Sequence, residues 1–396
     1  MFSIRKLVNN RYNDDAVKSS PLAIKFIDEI PPLEFDEIKV NDYKVDYTCD
    51  YTRLKYIDND DLIDSNSNKG TERVTITPVD DILYYYNACI HEIETNLYRM
   101  FYRCSRHPKG WRDRIATCLL DDNMHVIADS NKYIDAYSNW EESTDSNPYF
   151  QSMILYKYEA GQHLEDPRVV LWNNCWYVLY TDGIRMGVAK LDYNCNTIYS
   201  HYLSIPNVKK SIEHDGREKN WIPFISNDKF YIFYSASPYT LLECYEFGGA
   251  LVVAKSITDN YGLLWMYGDV RGGAPPCIYD DNHLIWFFHS AKIYKNRPHE
   301  RIYSIGAYVT TNRYPFRAVK ITRIPLLIGV PGVVNASLKY SDNVVFPCGS
   351  VKTNTGWKVS MGVHDAKIGL LDVCESDFIW NEMYALGNTN LLITHY

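Results

Sequence analysis

Aromatic, apolar runs that end in a polar residue recur along this chain, and no other feature restricts its fold as strongly. They read Trp176-Tyr177-Val178-Leu179-Tyr180-Thr181, Phe230-Tyr231-Ile232-Phe233-Tyr234-Ser235, Leu284-Ile285-Trp286-Phe287-Phe288-His289-Ser290 and, more loosely, Val344-Val345-Phe346-Pro347-Cys348-Gly349-Ser350. Such residues fit a pleated, half-buried surface, so each run reads as a strand. Turn residues stand just before each run: Asn173-Asn174, Asn227-Asp228, Asp280-Asp281-Asn282 and Ser341-Asp342-Asn343. Beside β-formers these are hairpin signals. An earlier member, Leu97-Tyr98-Arg99-Met100-Phe101-Tyr102-Arg103, is set apart by a longer interval that reads as a loop insertion. The spacing, roughly 55 to 60 residues, slightly exceeds the period of a propeller blade with about four strands. About five such units fill the chain after residue 77, which predicts an all-β, five-bladed β-propeller over 78–396. A pair of β-sandwiches is the alternative, but it would not need so long and regular a period.

Residues 1–77 read differently. Pro31-Pro32 and the tract from Asp58-Asn59-Asp60-Asp61 to Asn68-Lys69-Gly70 are turn and linker chemistry. Ile38-Lys39-Val40 and Tyr43-Lys44-Val45-Asp46-Tyr47 alternate like strands between them. This part is expected to be an extension and linker that packs on the propeller or joins an interface. With 46% hydrophobic residues and 34 tyrosines, a sizeable β-rich core is feasible. A net charge of −8 argues against a general nucleic-acid binder. The ten cysteines are scattered singly without a C-x-x-C pair, so they are expected to be small buried hydrophobes in a reducing compartment. The N-terminus lacks an apolar run of signal-peptide length, and no later run approaches a membrane span. A cytoplasmic protein is expected, with no metal and no tightly held cofactor.

The chemistry concentrates at the ends of these strands. His163-Leu164-Glu165-Asp166-Pro167-Arg168 leads into Val169-Val170-Leu171-Trp172. Proline cannot donate to a ladder, so Pro167 belongs at a strand mouth. Alternation would then put Asp166 and Arg168 on one face. A carboxylic acid beside a guanidinium suits proton donation next to an anionic or hydroxyl-rich ligand, although a surface ion pair fits as well. Comparable places in later units carry Glu218-Lys219-Asn220-Trp221, Arg271-Gly272-Gly273, His289, Tyr303 and Gly362-Val363-His364-Asp365. A propeller gathers such positions around its axis. Lys219 and Arg271 with the His289 imidazole and the Tyr303 phenol would make a pocket for phosphate or a phosphosugar. Gly272-Gly273 would let backbone approach a ligand. Trp221 reads as packing more than as sugar stacking.

At these residues the chain resembles the mannoside phosphorylases and β-mannosidases of glycoside hydrolase family 130 and related phosphate-dependent mannosyltransferases. The likeness runs from about Asn87 to the C-terminus and leaves the extension uncovered. Glu165-Asp166-Pro167-Arg168 carries it most specifically, supported in order by Arg271 to Pro276, His289, Tyr303-Ser304-Ile305-Gly306-Ala307 and Phe346-Pro347 through Asp365. The resemblance implies a five-bladed propeller with Asp166 as general acid and Asp365 binding the glycosyl unit. It implies that His289 and Tyr303 seat inorganic phosphate, and it matches Arg103 to an arginine of the central pocket. Arg103, Arg168, Asn220 and Asp365 are thus expected to bind substrate, and Lys219, Arg271, His289 and Tyr303 phosphate. One departure is visible. Family phosphorylases commonly follow the basic-Asn pair with Phe-Pro-Glu-Lys, whereas Lys219-Asn220-Trp221 is followed here by Ile222-Pro223-Phe224-Ile225-Ser226. That leaves room for a phosphate-bearing sugar donor.

Two classes of function follow. In one, the chain is an inverting glycoside phosphorylase or glycosyltransferase acting on β-mannoside-like oligosaccharides, with phosphate or an activated sugar as co-substrate. An inverting glycosidase using water is a variant of it, with Glu218 and Asp269 as candidate bases. In the other, the propeller is a glycan-binding lectin or interaction platform, which has no use for a proton donor.

Overall fold

A computed structural model describes residues 54–57, 83–106, 113–136, 164–183, 185–205, 218–259, 262–294, 297–329, 343–383 and 392–395. The strands fall into five antiparallel sheets. Strand β1 (Leu54–Tyr56) comes first in the chain. The first blade is then β2 (Leu83–Glu94), β3 (Leu97–Arg106), β4 (Arg114–Leu120) and β5 (Lys132–Tyr133). The second is β6 (Glu165–Trp172), β7 (Cys175–Thr181), β8 (Met186–Leu191) and β9 (Thr197–Tyr202). The third is β10 (Ile222–Ser226), β11 (Lys229–Ala236), β12 (Tyr239–Phe247) and β13 (Ala250–Asp259). The fourth is β14 (Cys277–Asp280), β15 (His283–Tyr294), β16 (Arg297–Thr311) and β17 (Ala318–Thr322), with β18 (Leu327–Ile328) also paired to β16. The fifth is β19 (Val345–Thr353), β20 (Gly356–Val363) and β21 (Lys367–Val373).

The remaining strands complete outer edges. β1 pairs with β21, so a piece of the N-terminal region supplies the outer strand of the last blade. The other strand-like runs expected before residue 54 lie outside the described residues. β22 (Trp380–Glu382) pairs with β17, and β23 (Leu392–His395) pairs with β13. Covering outer strands in this way protects edges that would otherwise present unpaired backbone groups.

Five buried apolar clusters hold the blades together, and each lies between neighbours. One joins the first and second blades around Phe101 and Trp176, with Phe346 and Cys348 of the fifth. Others join second to third through Tyr177 and Phe230, and third to fourth through Phe233 and Trp286. The last two join fourth to fifth through Phe287 and Val359, and fifth back to first through Ile368 and Met100. The ring is therefore closed by hydrophobic burial between every adjacent pair of sheets. Trp286 shows the density of this packing: it stacks on Tyr308 with centroids 5.6 Å apart and meets Phe224 edge-on at 5.0 Å.

The repeat marks the same structural place in four blades. The runs at Leu97, Trp176, Phe230 and Leu284 are second strands, and Asn173-Asn174, Asn227-Asp228 and Asp281-Asn282 are first-to-second hairpin turns. The fifth run is displaced by one strand. Val345–Thr353 is the first strand of its blade, and the true counterpart is β20, preceded by Asn354-Thr355. Nine cysteines are described, all free and six of them buried. Burial pushes the Cys89 thiol up to about 11 and that of Cys277 to about 12. No helix among the described residues is long and apolar enough to cross a membrane.

Candidate active site

Neighbouring strands of a meander reverse direction, so the start of each first strand and the hairpin joining second to third strands share one end. Asp166 near the start of β6, Asn220 before β10, Arg271 before β14 and Asp365 in the β20–β21 hairpin all come to that end. Several of these positions hold left-handed backbone: Asn87 (φ 52°), Asp166 (φ 56°), Asn220 (φ 64°) and Asp365 (φ 51°). Asn and Asp tolerate this region better than other side-chain-bearing residues.

Asp166 lies in a bulge. The β6–β7 register jumps between Glu165 and Arg168, so Asp166 and Pro167 have no ladder partners. Pro167 therefore lies inside the strand at a point where its missing N–H costs nothing. The bulge also overturns the expected alternation. Arg168 does not share the face of Asp166; its side chain turns inward and is among the largest fully buried ones. Its Nε donates to the Gly273 carbonyl at 2.5 Å and its Nη1 to the carbonyl of Asp166 at 3.0 Å, while the guanidinium lies 4.7 Å from the Phe346 ring centroid. Arg168 thus ties the acid-bearing bulge to the fourth and fifth blades.

The Asp166 carboxylate is gripped from the first blade. Asn87 Nδ2 donates to its Oδ1 at 2.7 Å and Arg103 Nη1 to the same oxygen at 3.0 Å. Oδ2 has no hydrogen-bond partner among the described residues. Arg103 also reaches Glu165 at 3.4 Å and pairs through Nη2 with Asp113, whose side chain is fully buried. Burial alone would lower the Arg103 guanidinium, but Asp113, Glu165, Tyr86 and Asp166 outweigh it and hold it above its ordinary range. Glu165 in turn bridges to Lys219 at 3.4 Å. A continuous charged chain therefore runs from Asp113 through Arg103 and Glu165 to Lys219.

Lys219 and Asn220 share a cleft with Arg271, lined also by Glu218, Trp221 and Tyr234. Among the described residues the Arg271 side chain makes no hydrogen bond or ion pair, and its Nε is buried. The Arg271 N–H donates to the His289 carbonyl at 2.9 Å, which fixes this segment beside β15. His289 stacks on Tyr303 with centroids 5.9 Å apart, and Phe346 covers it edge-on at 4.4 Å. Burial raises the Tyr303 phenol, as does Asp365, while Arg271, Arg301 and Lys219 pull it down. Asp365 and Arg103 likewise act on Tyr86 from opposite directions. The expected Lys219, Arg271, His289, Tyr303 and Asp365 thus meet at one end of the ring, together with Arg103, Asp166 and Asn220.

Other expectations change. Gly272 and Gly273 serve close backbone packing, Gly272 between blades and Gly273 within the fourth: a Cβ at Gly272 would fall 1.9 Å from the Asn220 carbonyl oxygen, and one at Gly273 2.2 Å from that of Phe287. Trp221 is 2% exposed and packs on Tyr234. Glu218 accepts from Trp221 Nε1 and Tyr234 Oη, each at 3.2 Å. Asn87, Asp113, Glu165 and Arg301 were not expected at the site. An asparagine interrupting Tyr84-Tyr85-Tyr86 at residue 87 was the one local sign of a bulge.

No protein-family model matches the chain, and no curated protein matches it in sequence. Among solved structures it is similar to one from work on glycoside hydrolase family 130, in which that family of mannoside phosphorylases is said to contain glycoside hydrolases targeting β-1,2-mannosidic linkages in Candida mannan. The identity is 14% and the TM-score 0.51, over 74% of this chain and 85% of that chain. A glycosyl hydrolase from Bacteroides ovatus is similar at 15% identity and a TM-score of 0.50, over 76% of this chain and 87% of that chain. At these identities the likeness is one of fold. The chain is an all-β, five-bladed propeller of the kind found in glycoside hydrolase family 130.

Proposed function

We propose that this chain is a carbohydrate-active enzyme, an inverting phosphorylase or phosphate-dependent transferase acting on β-mannosides. One observation carries the reading: Asp166 is held by one oxygen while Arg271, a cation without an acidic partner among the described residues, waits beside Tyr303 and His289. With Asn87 and Arg103 both on Oδ1, a proton on the carboxyl resides on Oδ2, aimed by the clamp. That proton passes to the leaving glycosidic oxygen as the bond from the anomeric carbon breaks. Phosphate seated by Lys219, Arg271, His289 and Tyr303 forms the new bond from the opposite side, which inverts the centre. Asp365 and Asn220 hold sugar hydroxyls. In reverse, mannose 1-phosphate donates its glycosyl unit to an acceptor hydroxyl and releases phosphate.

The test is to incubate the protein with β-1,2-mannobiose and inorganic phosphate and follow products by NMR. α-Mannose 1-phosphate and mannose in equal amounts are expected. Free mannose alone, formed equally without phosphate, would make the enzyme a hydrolase. Tight glycan binding without turnover of any mannoside in either direction would make it a lectin.

A further inference from the structure

Asp113 is the least explained charge near the site. Its side chain has no exposure, and it does not line the Lys219–Arg271 cleft. A carboxylate so deeply buried loses its hydration and is retained only where a partner compensates it. Two contacts define what it does. Its carboxylate pairs with Arg103 Nη2, the guanidinium whose Nη1 grips Asp166. Its backbone carbonyl accepts the Leu164 N–H at 2.9 Å, two residues ahead of Asp166. One residue of the first blade therefore fixes both the gripping arginine and the start of the strand that carries the gripped acid.

We infer that Asp113 is a positioning residue, which sets the place and the charge of Arg103 against Asp166 and so governs the proton donor. The inference rests on the catalytic reading above. The charged and titratable groups around Asp166 are Arg103 on β3, Glu165 and Arg168 on its own strand and Cys348 on β19, with the Asn87 amide on β2; Tyr86, Lys219 and Asp365 stand beyond them. Asp113 offsets the Arg103 charge from the far side of this group. Asparagine at 113 keeps an oxygen for Nη2 and the same backbone carbonyl, but removes the offset. Arg103 then bears more strongly on Asp166 and Glu165.

The experiment compares the full chain with Asp113→Asn. A kcat lower by about tenfold or more is expected, with KM for phosphate changing less than kcat, because Asp113 reaches that cleft only through Arg103, Glu165 and Lys219. The alkaline limb of the kcat–pH profile, which reports loss of the donor's proton, should move to lower pH. A variant that folds and keeps the parental kcat and limb overturns the inference. If Asp113→Asn fails to fold, Arg103→Gln/Asp113→Asn removes both buried charges and is compared with Arg103→Gln. Equal turnover in those two supports action through Arg103; a further loss in the double variant overturns it. If the parent turns over no mannoside, the catalytic reading fails by itself. Carboxyl ¹³C titration of Asp166 in parent and Asp113→Asn then decides: a displaced titration supports the coupling, and an identical one refutes it.

Discussion

Replacing Asp166 by asparagine separates the chemistry of the site from its architecture. The Asp166 Oδ1 accepts from Asn87 at 2.7 Å and Arg103 at 3.0 Å, and an amide oxygen in the same place keeps both bonds. The left-handed backbone at this position, φ 56°, suits asparagine as well as aspartate. Arg103 loses one carboxylate but retains Asp113 and Glu165, so no buried charge is stranded. Stability should therefore change by no more than about 1 kcal/mol, in the range of a partly exposed ion pair. The amide nitrogen that replaces Oδ2 cannot deliver an acidic proton. General acid assistance is worth about 100- to 10,000-fold, so the barrier should rise by roughly 3 to 5 kcal/mol. The assay is phosphate release from mannose 1-phosphate plus acceptor, run beside a thermal melt and a sugar-binding titration. Turnover should fall at least about 100-fold while melting and binding hold. Near-parental turnover in a folded variant would refute the assignment and move the search for the acid to Asp365 or Glu218.

Three other perturbations test the frame around it. Arg168→Ala removes charge-assisted bonds to the Asp166 and Gly273 carbonyls, so urea melts should show a loss of about 3 kcal/mol or more. Lysine should recover little of it, because it cannot fork; a loss under about 1 kcal/mol would deny the strap. Gly362→Ala would place a methyl 1.8 Å from Asn87 Oδ1 and push the amide off Asp166. Turnover should drop by about 100-fold, and unchanged kcat would show that the Asn87 contact is dispensable. Burial pushes the His91 imidazole down to about 4 where it packs on Trp176, so the unfolded chain binds that proton first as pH falls. Stability should decline from about pH 6.5 toward about 4, by at most roughly 3 kcal/mol from this group. His91→Phe should flatten that part of the curve, and parallel curves would exclude the residue.

Much of the fold was legible because each blade repeats one physical demand. A second strand is covered on both sides, so Val178, Ile232 and Trp286 stand fully buried at comparable places within apolar runs. The hairpin before it needs left-handed backbone, which Asn173, Asn174, Asn227 and Asp228 supply. The fifth copy slipped by one strand because Val345–Cys348 is equally buried: a first strand near the axis is as apolar as its neighbour, and composition alone cannot tell them apart. The edge strands β1, β22 and β23 are three or four residues of local sequence whose distinguishing property is the outer strand they meet.

The site divides along the same line. Residues at strand starts and hairpins, such as Asp166, Lys219, Arg271 and Asp365, could be placed at one end of the ring because position in the repeat implies position around the axis. Arg168 could not be placed, since one bulge reverses every inference drawn from alternation. Asn87 and Asp113 were hidden for a different reason: their meaning lies in contacts across blades, 79 residues apart for Asn87 and Asp166. Ser360 belongs to the same class. It donates to the Ala88 carbonyl at 2.6 Å and accepts the Ile90 N–H, so the fifth blade satisfies a carbonyl of the β2 bulge and an N–H just beyond it. The left-handed Asn87 is thereby held by the closure of the ring itself, and the grip on Asp166 depends on the first and fifth blades meeting. Loss of that closure should release the acid before any residue of the Lys219–Arg271 cleft is disturbed.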